Sequence, residues 1–334
     1  MASRPNRCSS VRPERERGAA LLTVLMLVAV IAVMAGSALE KLRLSTRLAG
    51  NAASIESARG FARAAETLAL GRIDNLLGRD ASRVTLAGEW SGQPFGLPLP
   101  GGGTAVARVA DGGNCFNLNG LVVRTGAGTY ASNPAARVQF ARLMRLVGVP
   151  GQSAEGIAAA ASDWIDSDGD QQASGAEDGT YLGLSPGYRT AGTLMADVSE
   201  LRAVQGVTPD IYARLRPWLC ALPVAQLSRV NVNTLLPEQA PLLAMLLPDT
   251  LGVEAARQVL LKRPPQGFDS AASFWAMPGL EQAGVGAQQT AVTTTWFRLD
   301  VDVTVGGSAL EQHGLIDATR LPARVATRQW GEAS

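Results

Sequence analysis

The chain is predicted to fold as an α+β protein, with a long amino-terminal helix, an antiparallel sheet drawn from both ends of the chain, and a large α-helical region inserted between the two parts of that sheet. Three patterns in the 334 residues predict it. Residues Gly18 to Leu39, GAALLTVLMLVAVIAVMAGSAL, are 22 consecutive uncharged positions between Arg17 and Glu40. Near the other end, Phe297, Leu299, Val301, Val303 and Val305 alternate with Arg298, Asp300, Asp302 and Thr304, the period of a half-buried strand. Between the flanks the texture changes to short helices opened by an N-cap and a first-turn proline, as at Asn133-Pro134 and Thr208-Pro209.

The first 18 residues hold Arg4, Arg7, Arg12, Arg15 and Arg17 against only Glu14 and Glu16. The apolar run that follows is long enough for a tilted helix across a ~30 Å hydrocarbon core. By the positive-inside rule the arginines keep the amino end cytoplasmic and send everything after Leu39 to the far face, which is periplasmic in a Gram-negative cell. The competing reading is a secretory signal cut near Gly36-Ser37-Ala38, although apolar regions of such signals run only roughly 7 to 15 residues. Beyond the span of residues 19–39, residues 40–78 contain no proline and place Ile55, Ala58, Ala62, Ala65, Ala69, Ile73 and Leu76 at helical spacing, an amphipathic continuation of the same helix.

A first part of the sheet is expected over 79–123, with strands near 82–89, 104–110 and 115–121 joined by glycine- and proline-rich loops. Gly101-Gly102-Gly103 lacks a following GK[ST] and reads as a turn. The inserted helical region is expected over 124–290. The second part of the sheet, 291–334, enters a hairpin at Gly306-Gly307-Ser308.

Composition narrows the function. Without the first 18 residues, 25 basic face 27 acidic side chains, no balance for a polyanion binder. His313 is the one histidine and there are three cysteines, too few for zinc sites, Ser-His-Asp triads or CxxC chemistry. The densest acidic segment is DWIDSDGDQQASGAED. Counted from Asp166, Asp168 stands third, Asp170 fifth and Glu177 twelfth, the ligand spacing of a calcium loop, better suited to a cation than to acid-base catalysis. Gln171 replaces the usual sixth-position glycine and YLGLSPG follows in place of an exiting helix, so a calcium loop is expected without an EF-hand pair. The alternative is a solvated acidic loop.

A basic leader ending in Arg17-Gly18, an apolar segment directly after it and an amphipathic continuation resemble type IV pilins and pseudopilins. That resemblance implies cleavage by a prepilin peptidase between Gly18 and Ala19, with methylation of the processed chain. Most members carry glutamate fifth from the new terminus, where this chain has Thr23. In a filament core that glutamate pairs with the amino group of the subunit ahead, offsetting the several kcal/mol an unpaired buried ion costs; a tip subunit has none ahead. Cys115-Phe116-Asn117-Leu118-Asn119, Asp163-Trp164-Ile165-Asp166-Ser167-Asp168, Gly175-Ala176-Glu177-Asp178, Tyr181-Leu182 and Asn231-Val232-Asn233-Thr234 resemble the general secretion pathway protein K family. The resemblance implies a non-enzymatic minor pseudopilin of type II secretion, in the inner membrane by a single pass with its body periplasmic. It further implies other minor pseudopilins as partners, a place at the pseudopilus tip, and structural calcium carried by Asp166, Asp168, Glu177 and Asp178.

Cleavage would remove Cys8 and leave Cys115 and Cys220 in an oxidising compartment. A disulfide joining sheet to helical region is expected, with two buried thiols as the alternative. A rival function comes from residues 229–280, which look like a helix-hairpin-helix segment of competence DNA-binding proteins, with an echo in ADVSELRAVQGVTPDIYARLRPWL. Asp249 in its hairpin, Pro248 to Gly252, would repel phosphate, and Lys262-Arg263 is the one adjacent basic pair nearby, so packing is the favoured role and no nucleic-acid partner is expected.

Overall fold

The structure, a computed structural model, describes residues 14–100, 102–247, 251–280 and 286–331. The expected leader, residues 1–18, and the hairpin residues Pro248, Asp249 and Thr250 fall largely or wholly outside them. Helix α1 runs Glu14–Arg79. The chain divides into two units at Ser57 and Ala58. In the first unit the apolar stretch has a mean hydropathy of 2.7 over its best 18 residues and none of that window is buried. Such a helix satisfies its backbone internally and leaves an apolar surface for lipid.

In the second unit, the end of α1 presents Ala58, Ala62, Ala65, Ala69 and Ile73, all buried, at spacings of three and four residues. These mostly small side chains let the helix lie close on a five-stranded antiparallel sheet. Its strands are β1 Phe95–Leu99 and β2 Gly103–Asp111 from the first half of the chain, followed much later by Trp296–Val305, Ser308–Asp317 and Arg324–Trp330. The two early strands lie at one side of the later three. The apolar side chains Ala105, Ala107, Val109, Phe297, Leu299, Val301, Val303 and Ile316 face the helix in one core. Buried Glu66 of α1 is held by both arms of Arg328 at 2.8 and 2.7 Å and by Gln312 at 2.8 Å, a charge pair whose oxygens are hydrogen-bonded.

Between Asp111 and Trp296 the chain forms a second core of its own. This insertion comprises β3 Phe116–Asn117, β4 Val122–Gly126, β5 Thr129–Ser132, α2 Pro134–Leu146, α3 Gly151–Ile165, α4 Asp178–Leu182, α5 Pro209–Leu215, β6 Leu219–Cys220, β7 Val230–Asn231, α6 Ala240–Ala244, α7 Val253–Leu261, α8 Ala271–Trp275, α9 Gly286–Gln289 and β8 Thr290–Ala291. The three late strands of the large sheet are β9, β10 and β11. Where the insertion leaves and returns, half-buried Asp111 accepts from the Thr234 hydroxyl at 2.5 Å, the Thr294 hydroxyl and Gly113 N, tying exit to return. Burial pushes its carboxyl above the usual range.

The α+β architecture is as expected, with three local corrections. Residues 82–89 form no strand: Val84 N bonds Val292 O at 2.7 Å and Asn231 reaches Val84 O, so the segment is a connector tied to the insertion. The first strand is instead FGLPL at 95–99, where Pro98 is tolerated because the strand lies at the sheet edge. The segment expected as a strand at 115–121 does not join the large sheet; β3 pairs in parallel with β6 and passes into a 3₁₀ turn at Leu118–Leu121. The insertion therefore begins directly after Asp111, ahead of the expected boundary at 124.

Candidate metal centre

Helix α3 is rich in alanine and ends at Asp166, whose backbone turns extended while its N–H still bonds Ser162 O at 2.9 Å. The chain then loops through Asp168 and Asp170 and returns at Glu177, the N-cap of α4. This brings one carboxylate oxygen from each of Asp166, Asp168 and Glu177 within 4.8 Å of one another. Asp166 is 1% exposed and Glu177 8%. Both Asp166 oxygens and Glu177 Oε1 are buried without a hydrogen-bond partner. Burial first, then the like charges of Asp168, Asp163 and Glu177, push the Asp166 carboxyl up to about 7. Burial likewise raises Glu177.

Unpaired buried carboxylate oxygens cost free energy unless something positive meets them. Three carboxylates with free oxygens in one small space fit a hard divalent cation such as calcium, which takes oxygen donors. The other two expected ligands lie elsewhere. Asp178 accepts from Thr190 N and Oγ1, both at 3.0 Å, and pairs with Arg189 at 2.5 Å. Those bonds, the Thr190 N–H foremost, hold its carboxyl below the usual range. Asp170 is exposed, and its N–H caps Asp168 Oδ1 at 3.0 Å. It shapes the loop through its backbone, and Asp178 fastens α4 to the irregular segment at Arg189 and Thr190.

Sequence reading missed Asp163. Fully buried one turn before Asp166, it accepts from Gln172 N on both oxygens at 3.3 and 3.2 Å. Burial raises its carboxyl to about 6. The available signal was its position, three residues before Asp166 on the same helix face. Ser167, also overlooked, exchanges bonds with Tyr130, N to O at 3.0 Å and Oγ from N at 3.0 Å, so the loop grips β5.

Cys115 and Cys220 form a disulfide with Cα atoms 5.8 Å apart. It clips β3 to β6 within the insertion, because residues 115–121 lie outside the large sheet; it does not join sheet to helices. His313 lies on β10 with Nδ1 2.8 Å from Asp300 Oδ1. In the helix-hairpin-helix segment, Arg263 donates to Val232 O at 3.0 Å and Leu235 O at 2.6 Å, so half of the basic pair is spent on packing instead of phosphate.

Two models of the type II secretion system protein K family match residues 114–224 and 230–295. A protein K of Pectobacterium carotovorum is 34% identical over 330 residues, covering 95% of this chain and 97% of the relative. The chain belongs to the type II secretion system protein K family. The protein K of Klebsiella pneumoniae is 35% identical over 323 residues, with 95% and 97% covered. Among solved structures, a chain of the GspK–GspI–GspJ complex of enterotoxigenic Escherichia coli superposes with a TM-score of 0.72 at 33% identity, over 83% of this chain and 96% of the other. This chain is thus a minor pseudopilin of the type II secretion system, of a structural family that is not a known enzyme family, and its apolar helix fits a single-pass membrane anchor.

Proposed function

We propose that this chain caps or initiates the pseudopilus as its tip subunit. It is cleaved between Gly18 and Ala19 by a prepilin peptidase and methylated, and it is anchored in the inner membrane with its amino end cytoplasmic and everything after Leu39 periplasmic. The observation that carries the reading is at Thr23: its hydroxyl donates to Ala20 O at 2.9 Å within its own helix, so this position offers no carboxylate to a subunit ahead. The insertion between Asp111 and Trp296 adds bulk that suits an end of a filament better than its shaft. The partners are the two other minor pseudopilins corresponding to GspI and GspJ in the complex of the relative. The protein performs no catalysis, and a structural calcium ion at Asp166, Asp168 and Glu177 orders the loop before assembly.

The test is the intact mass and amino-terminal sequence of the membrane-extracted protein from cells with and without prepilin peptidase, followed by co-purification with the other minor pseudopilins. An Ala19 terminus that depends on the peptidase, in a chain that co-purifies with them, is expected. A terminus near Leu39 overturns the reading.

A further inference from the structure

We propose that Asp163 is the positioning residue of the cation site and that Gly175 is the position that lets it act; this rests on the calcium reading above. Glu177 reaches Asp166 only because the intervening chain folds back. The fold-back is a tight turn in which Gly175 N bonds Gln172 O at 2.8 Å and Ser174 adopts φ +65°. Gln171 Nε2 braces the same turn by donating to Gly175 O at 2.6 Å.

Asp163 lies directly beneath this turn. Both its oxygens accept from Gln172 N, and a Cβ on Gly175 would stand 2.1 Å from Asp163 Oδ2 and 2.9 Å from its Cγ. Under 3 Å something must shift, and here the atom met belongs to a fully buried side chain with no room to retreat. Asp163 thus draws the base of the turn onto the end of α3, and Ala176, fully buried, follows Gly175 into the core and delivers Glu177 to Asp166. The carboxylate of Asp163 is engaged with backbone N–H, whereas the oxygens of Asp166 and Glu177 Oε1 are left for the cation. This is the arrangement expected of an outer residue that orients ligands.

The experiment uses the full-length chain in detergent and terbium as a calcium analogue, excited through neighbouring Trp164. Wild-type protein is expected to give sensitised emission that calcium displaces. Gly175→Ala, which removes no ligand, is expected to weaken calcium by about 10- to 100-fold and to lengthen the list of waters on bound terbium, read from emission lifetimes in H₂O and D₂O. Asp163→Asn, nearly isosteric, is expected to do the same with an unchanged melting temperature in chelator, which separates positioning from folding. Both variants binding calcium with wild-type affinity and hydration overturns the proposal; wild-type protein that binds neither ion overturns the calcium reading on which it rests.

Discussion

In the first half of the insertion Asn117 Oδ1 accepts from Asn119 N, and Asn119 in turn clamps Met195 by accepting from its N–H at 2.8 Å and donating to its carbonyl at 2.9 Å. In the second half Asn231 Oδ1 accepts from Asn233 N, and Asn233 clamps Phe268 the same way at 2.7 and 2.9 Å. Both clamped residues are followed two positions later by an N-cap with a capping box, Asp197 or Ser270. Each half also closes on a short parallel pair, β3 with β6 and β7 with β8. The halves coincide with the two matched family models. They differ in what lies between the second asparagine and its clamped residue: α6 and α7 in the second half, but in the first the β4–β5 hairpin, α2, α3, the acidic loop and α4. The asparagine locks are closed by the chain itself, whereas the acidic loop leaves buried oxygens open. The same scaffold is self-sufficient in one half and, on this account, completed by a cation in the other.

The largest way to separate the halves is the disulfide, which spans 105 residues and lies wholly in the first. Cys115→Ser with Cys220→Ser is expected to destabilise that half by about 4 to 5 kcal/mol through loop entropy, seen as a separate early transition in urea while the second half persists. Next come the locks. Asn119→Ala and Asn233→Ala each strip buried backbone groups of partners and are expected to cost about 2 to 4 kcal/mol by denaturation. Only Asn119→Ala is expected to weaken calcium binding as well; equal effects on calcium from both variants would break the distinction between the halves.

Much of this architecture was legible as pattern. The 22-residue apolar run marks the exposed, uninterrupted stretch of α1, the alternation from Phe297 to Val305 marks β9, whose burial is periodic, and the proline-started helices at Pro134 and Pro209 form where the N-caps stand. Residues 82–89 carry β-prone side chains yet serve as a connector, since the backbone N–H and C=O of Val84 bond Val292 and Asn231, more than a hundred residues away. Spacing singled out Asp166, Asp168 and Glu177 but also nominated Asp170, and the family resemblance added Asp178. Only three dimensions show Asp178 spent on Arg189 and Thr190, and Asp163 turned toward the loop backbone.

Calcium itself gives the next effect. At a hundredfold excess over its Kd it should stabilise the protein by about 2.7 kcal/mol relative to chelator, visible in thermal melts, and Asp166→Asn should abolish the response. The smallest effect is of pH. In chelator, Asp166 and Asp163 titrate near 7 and 6 when folded, above the unfolded value near 3.9. The native state then holds more protons than the unfolded chain between these values, so stability falls as pH rises from about 4 to 7. With calcium the slope should shrink or reverse, because the cation binds ionised carboxylates; parallel melting curves with and without calcium across this range would contradict it.

The most direct measurement is amide hydrogen exchange of the full-length chain in detergent, with calcium and with chelator, resolved along the insertion. The account predicts that calcium slows exchange over residues 163–192 and, through the Ser167–Tyr130 bonds, in β5, while 230–291 are unchanged. Uniform slowing of both halves, or none in either, would contradict a cation that completes the first half alone.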